Sequence, residues 1–181
     1  MSKRITFQFE DDLDYQMQAI HSTVELFRGL SRHVDGVYRY NRIHDVTQGN
    51  PIRNNDIVVG SRLLENLRKV QLSNDLFADN VLAEGNNFTI EMETGTGKTY
   101  VYLRTILELY QEYGFRKFMI VVPSIAIRKG VEKSMEQLAD HFKRLYNIDI
   151  GKHSFIYDSN NPKQISSKLV ESNDLSICVL N

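Results

Sequence analysis

The chain has 181 residues, 22 Lys and Arg against 23 Asp and Glu, a net charge of −1 and 41% apolar residues. That length suits one domain with its own core, and the ordinary globular mixture excludes a disordered tail, a collagen repeat and a disulfide scaffold. Near-neutrality also restricts any nucleic-acid contact to local patches, because there is no global basic field.

In chain order, the first periodic stretch covers residues 13–27. Leu13, Met17, Ile20, Val24 and Phe27 recur at the spacing of one buried helical stripe. Asp11 and Asp12 precede it, where a carboxylate accepts orphan N–H groups, and Gly29 is a stop. From 31 to about 57 the periodicity fails, so 31–60 reads as a loop or an insertion before the core. A second helix is expected over 61–72, carrying Leu64, Leu67 and Val70.

Beyond it, strands and helices alternate. Phe88 to Met92 reads as a short strand, and 99–113 as a helix with Leu103, Ile106, Leu107 and Tyr110 inward and Gly114 at its C-cap. Phe118 to Val122 is a continuous apolar run ending at Pro123, which suits a parallel strand buried on both faces. Ile127, Val131, Met135, Leu138, Phe142 and Leu145 mark the next helix. A strand at 154–157, a polar turn at 158–162, a helical segment at 165–170 and a strand at 175–180 complete the pattern. Such alternation predicts an α/β fold with a parallel sheet flanked by helices. The longest apolar run has five residues, against about 20 for a membrane span, and Met1 to Ile5 shows no signal-peptide core. One cysteine, Cys178, closes no internal bridge, so a cytoplasmic setting is the expectation. The five histidines show no metal-ligand spacing.

The strongest chemical signal is Thr94-Gly95-Thr96-Gly97-Lys98-Thr99, placed between an expected strand and an expected helix. Glycines let successive backbone N–H groups converge on phosphate oxygens, and the helix N-terminus adds its positive dipole end. Lys98 would neutralise the β- and γ-phosphates and the Thr99 hydroxyl would hold Mg²⁺. The strict eight-residue pattern has glycine where this chain has Met92.

The stretch from Glu91 to Tyr100 resembles motif I of superfamily 2 helicases and translocases, and more narrowly the Res subunit of type III restriction-modification enzymes. Phe9 through Leu13-Asp14-Tyr15-Gln16, with Ala19-Ile20 and Leu26-Phe27, resembles that family's opening helix with its Q-motif glutamine. The helix around Asn66 and Val70 fits its lead-in, and Val121 through Val131 resembles its motif Ia region. The resemblance implies a RecA-like P-loop domain, incomplete, with all of 1–181 as its N-terminal part. It implies ATP and Mg²⁺ as cofactors, DNA and a methyltransferase (Mod) subunit as partners of the parent protein, and no membrane.

Residue by residue, it implies Gln16 for adenine, whose N6 and N7 edge an amide can pair, with Tyr15, Phe7 or Phe9 as a stacking face. Gly95, Thr96, Gly97 and Lys98, with Thr94 before them, would hold phosphates, Lys98 and Thr99 being the catalytic pair. Ser124, Arg128 and Lys129 would contact a DNA phosphate. Where other superfamily members carry Thr-Arg after the proline, this chain has Ser124-Ile125. Glu91 and Glu93 read as rim residues. Arg28 with Arg32, and Lys129 with Lys133, read as solvated pairs.

Hydrolysis further requires an acidic residue for Mg²⁺, a group that positions water and an arginine finger. No apolar strand here ends in Asp-Glu, and no carboxylate-rich nuclease centre is evident. The expectation is therefore a piece of a longer motor that binds nucleotide weakly at best and does not turn it over. A general superfamily 2 helicase and a small P-loop kinase or nucleotide-binding module are the alternatives.

Overall fold

Three parallel strands form the centre of the computed structural model, which describes residues 13–30, 32–34, 37–39, 61–79, 81–82, 86–161, 163–172 and 174–181. The helices are α1 (Asp14–Glu25), α2 (Ser61–Ser73), α3 (Lys98–Tyr113), α4 (Ile125–Tyr146), the single turn α5 (Ile150–His153) and α6 (Lys163–Ile165), which runs on into a π-helical segment, Ser166–Glu171. The strands β3 (Lys117–Val121), β4 (Ser154–Ile156) and β5 (Ser176–Leu180) pair in the order β3-β5-β4, so the last strand in sequence is central in space. Ile120 is level with Val179, and Phe155 with Cys178. The expected α/β class with a parallel sheet is what forms.

One sheet face carries Ile120, Ile177 and Val179 and packs against α3 and α4. Leu103, Leu107, Val131, Met135, Leu138 and Phe142 fill that layer. The opposite face buries Phe155 and Cys178 beneath Leu169 of the π-helical segment. On the far side of α3, Ala19 and Ile20 of α1 meet Val101, with Met92 packed beside them. Gly114 caps α3 in the left-handed region, as its position predicts, and Asn147 does the same for α4.

Several expectations need correction. Phe88 to Met92 makes no ladder pairing, because a strand exists only where a neighbour offers its N–H and C=O groups. β3 is parallel but not buried on both faces: among the described residues it is an edge of the sheet, with Met119 and Val121 exposed. Ile127 and Leu145, at the two ends of the α4 stripe, are also exposed, and His141 and Tyr146 complete its buried face. In α1 the buried face centres on Gln16, Ala19 and Ile20, one notch from the apolar stripe. α2 turns Leu63 and Asn66 inward. Leu13 is the N-cap of α1, without a side-chain cap, and Asp11 and Asp12 lie outside the described residues. Within the stretch read as loop or insertion, β1 (Arg32–Val34) and β2 (Val37–Arg39) form an antiparallel pair, and the rest of 31–60 lies outside the described residues.

A candidate nucleotide site on the loop before α3

The loop that enters α3 is shaped by its glycines. Gly95 and Gly97 both adopt positive φ, +85° and +83°, a region that L-residues rarely enter. Gly97 is the N-cap of α3, and its carbonyl accepts the N–H of Val101 at 3.1 Å. A Cβ added at Gly95 would meet nothing within 4 Å, so the loop faces open space there. Its backbone is therefore free to approach an anion, at a helix end whose unpaired N–H groups attract one.

The Glu93 carbonyl organises the side chains. It accepts the Thr96 hydroxyl at 2.7 Å and the Lys98 ammonium at 2.7 Å. Lys98 is exposed and held by a single carbonyl, so it can swing to a phosphate by exchanging one oxygen for a charged one. Thr99 is half-buried in the first turn of α3. Glu91 and Glu93 expose their side chains.

Gln16 lies apart from the loop by 80 residues in sequence but directly against it in space. It is buried, and its amide nitrogen donates to the Thr96 carbonyl at 2.9 Å. The same nitrogen lies 2.6 Å from where a Gly97 Cβ would be, so the loop and the glutamine fit only if position 97 has no side chain. Gln16 is thus tied to the phosphate loop, a contact that its spacing did not reveal. Tyr15, one of the expected stacking residues, is exposed. Phe7 and Phe9 lie outside the described residues.

Thr94, Gly95, Gly97, Lys98 and Thr99 line a cleft of about 510 Å³, within the range of small-molecule sites. Tyr100, Ser134, Gln137 and Leu138 complete it. The α4 wall was missed from sequence: Leu138 reads only as core, and nothing about Gln137 distinguishes it from a solvated helix face. Ser124, Arg128 and Lys129 are not among the cleft residues. Ser124 caps α4 by accepting the Ile127 N–H at 3.3 Å, and Arg128 donates to Asn181 at 2.7 Å. Lys129 is exposed.

The family described as "Type III restriction enzyme, res subunit" matches residues 11–181. The chain belongs to that family. It is 27% identical over 171 residues to the type III restriction-modification enzyme EcoPI Res subunit of Escherichia phage P1, covering 92% of this chain and 17% of that protein. Against the EcoP15I Res subunit of Escherichia coli it is 32% identical over 111 residues, 59% of this chain and 11% of that protein. Against the StyLTI Res subunit of Salmonella typhimurium it is 47% identical over 62 residues, 33% of this chain and 6% of that protein. The chain thus spans about a sixth or less of the Res subunits it matches. Among its described residues no helix is long and apolar enough to cross a membrane.

Proposed function

We propose that this Res-family chain is the ATP-binding part of a DNA-translocating motor in a type III restriction endonuclease subunit. Supporting this is the loop with two positive-φ glycines that opens α3 beside an exposed Lys98. The residues present fit a magnesium nucleotide. Backbone N–H groups from Thr94 to Gly97 and the Lys98 ammonium take the phosphates, and the Thr99 hydroxyl takes one Mg²⁺ position. Gln16 spends one amide proton on Thr96, which leaves its oxygen and second proton for the adenine edge. When bound, the metal would neutralise charge developing on the phosphates.

The parent protein, on this reading, uses ATP to move or switch state on DNA beside a methyltransferase (Mod) subunit, in the cytoplasm. Ser124, with Arg128 and Lys129, is the proposed contact to a nucleic-acid phosphate. The 181-residue chain alone would bind nucleotide weakly at best and not turn it over, since no apolar strand in it ends in the Asp-Glu pair that hydrolysis needs. Calorimetry with Mg²⁺–ATP on the wild type and Lys98→Ala tests binding; equal heats for the two would overturn the assignment of the site. A phosphate-release assay tests competence. Steady turnover that Lys98→Ala abolishes would sink the claim that the chain is inactive alone.

A further inference from the structure

The residue that follows the phosphate loop is joined to α4 by a polar network that the nucleotide reading does not use. Tyr100 is buried, and its hydroxyl lies 3.1 Å from Nε2 of His141, which is also buried. Arg104 Nη1 donates to the same hydroxyl at 3.0 Å, and Arg104 Nε donates to the Tyr146 hydroxyl at 2.8 Å. Tyr146 in turn donates to Glu108 at 2.6 Å. Burial, reinforced by Glu108, raises the pKa of Tyr146, so it remains the donor in that contact. Arg104 can only donate, so the Tyr100 oxygen accepts from it, and the imidazole tautomer sets which of Tyr100 and His141 donates in their contact. Five side chains, three from α3 and two from α4, thereby close one network between the helices.

Its position gives it a consequence beyond packing. Lys98, Thr99 and Tyr100 are consecutive in the first turn of α3, so the anchorage of Tyr100 fixes the direction in which that turn presents the other two. Tyr100 also lines the phosphate cleft, facing Ser134, Gln137 and Leu138 of α4. The network therefore ties the two walls of the cleft together beside the loop that opens α3. Apolar packing already joins the helices, because the Tyr100 ring stacks on Phe142 with centroids 5.7 Å apart at 21°. Such a stack tolerates sliding, whereas a hydrogen bond with a short, directional optimum does not.

We infer that Tyr100 and His141 are positioning residues of the nucleotide site: the hydrogen bond between them sets the first turn of α3, with Lys98 and Thr99, against the α4 wall. This rests on the nucleotide reading for its ligand but not for its geometry. Buried polar pairs replaced by apolar groups of like shape are often neutral for folding. Placement of catalytic groups, by contrast, is sensitive to displacements of about 1 Å.

Four variants separate position from packing: Tyr100→Phe, His141→Leu, their combination, and His141→Gln, whose amide offers the phenol both a donor and an acceptor. ATP affinity is measured by calorimetry with Mg²⁺, beside the melting temperature and the hydrogen-exchange rates of the Val101 to Arg104 amides, which close the first turn of α3 starting from the Gly97 carbonyl. Tyr100→Phe, His141→Leu and the double variant are expected to weaken ATP binding roughly threefold to tenfold, in line with coupling between contacting residues. They should speed exchange in that turn, with the double variant, which like Tyr100→Phe removes the hydroxyl that Arg104 bonds, melting no lower than Tyr100→Phe alone. His141→Gln should restore both readouts. Wild-type affinity and exchange in Tyr100→Phe would overturn the inference, as would losses in all four variants that merely follow the melting temperature. If the wild-type chain takes up no ATP, the nucleotide reading fails on its own. The exchange rates then still decide whether this contact sets the turn.

Discussion

At Gly97 two constraints meet that Gly95 separates. Both residues have positive φ, so a Cβ at either is strained, by roughly 1–2 kcal/mol. Only at 97 does the Cβ also strike a neighbour, the Gln16 amide nitrogen at 2.6 Å. That nitrogen is the end of a flexible side chain and can withdraw, but only by releasing the Thr96 carbonyl. Gly95→Ala is therefore expected to cost the backbone strain alone, and Gly97→Ala that strain plus a net hydrogen bond of about 1 kcal/mol. Urea denaturation of both variants, in wild-type and Gln16→Ala backgrounds, measures the difference. It should vanish when Gln16 is truncated; a gap that persists would mean that Gly97 is constrained by something other than the glutamine.

Elements are held to one another here by amides as well as by apolar faces. α2 is joined to the end of α1 by Asn66, buried, whose side-chain nitrogen donates to the Leu26 carbonyl at 3.0 Å and the Arg28 carbonyl at 2.8 Å. These are C-terminal carbonyls that the helix itself cannot satisfy. Asn66→Leu keeps the bulk but removes both donors, and is expected to cost about 1–3 kcal/mol. Asn66→Asp, which sets an anion against two acceptors, should cost more. Equal urea midpoints for Asn66→Leu and the wild type would show that water replaces the amide without loss. The same distinction explains what was legible in the sequence. Leu103, Ile106 and Leu107 announce the inner face of α3, and Gly114 its end, because periodicity and capping are local properties. The loop from Thr94 to Thr99 is equally plain, its chemistry being contiguous. Gln16 and Asn66 look like surface amides until the partner carbonyls, 80 and about 40 residues away, are in place. His141 and Tyr146 sit in the α4 stripe for partners on α3, Tyr100 and Arg104, that no spacing within α4 can indicate. Phe88 to Met92 has the composition of a strand, but pairing is decided by neighbours and not by composition.

On the scale of the whole molecule, the sheet has an asymmetry that bears on behaviour in solution. β5 is covered on both faces, whereas β3 lies at the edge with Met119 and Val121 exposed by 58% and 71%. Among the described residues β3 pairs only with β5, so its other side presents backbone N–H and C=O groups next to exposed apolar side chains. Short apolar edges of this kind are templates for pairing with another chain, and natural sheets protect them with charge, above all lysine. Lys117 is not free for that purpose, because its ammonium is held by the carbonyls of Lys168 and Asp174 at 2.9 and 2.8 Å. The 181-residue chain is therefore expected to self-associate as its concentration rises. Val121→Lys should suppress this while changing folding stability by no more than about 0.5 kcal/mol, since the side chain it replaces is already in water. Sedimentation velocity across a hundredfold range of concentration reads the association, and urea denaturation the stability. A wild-type chain that stays monomeric throughout would show that the β3 edge is protected. A Val121→Lys variant that unfolds early would show that residue 121 contributes to the core despite its exposure.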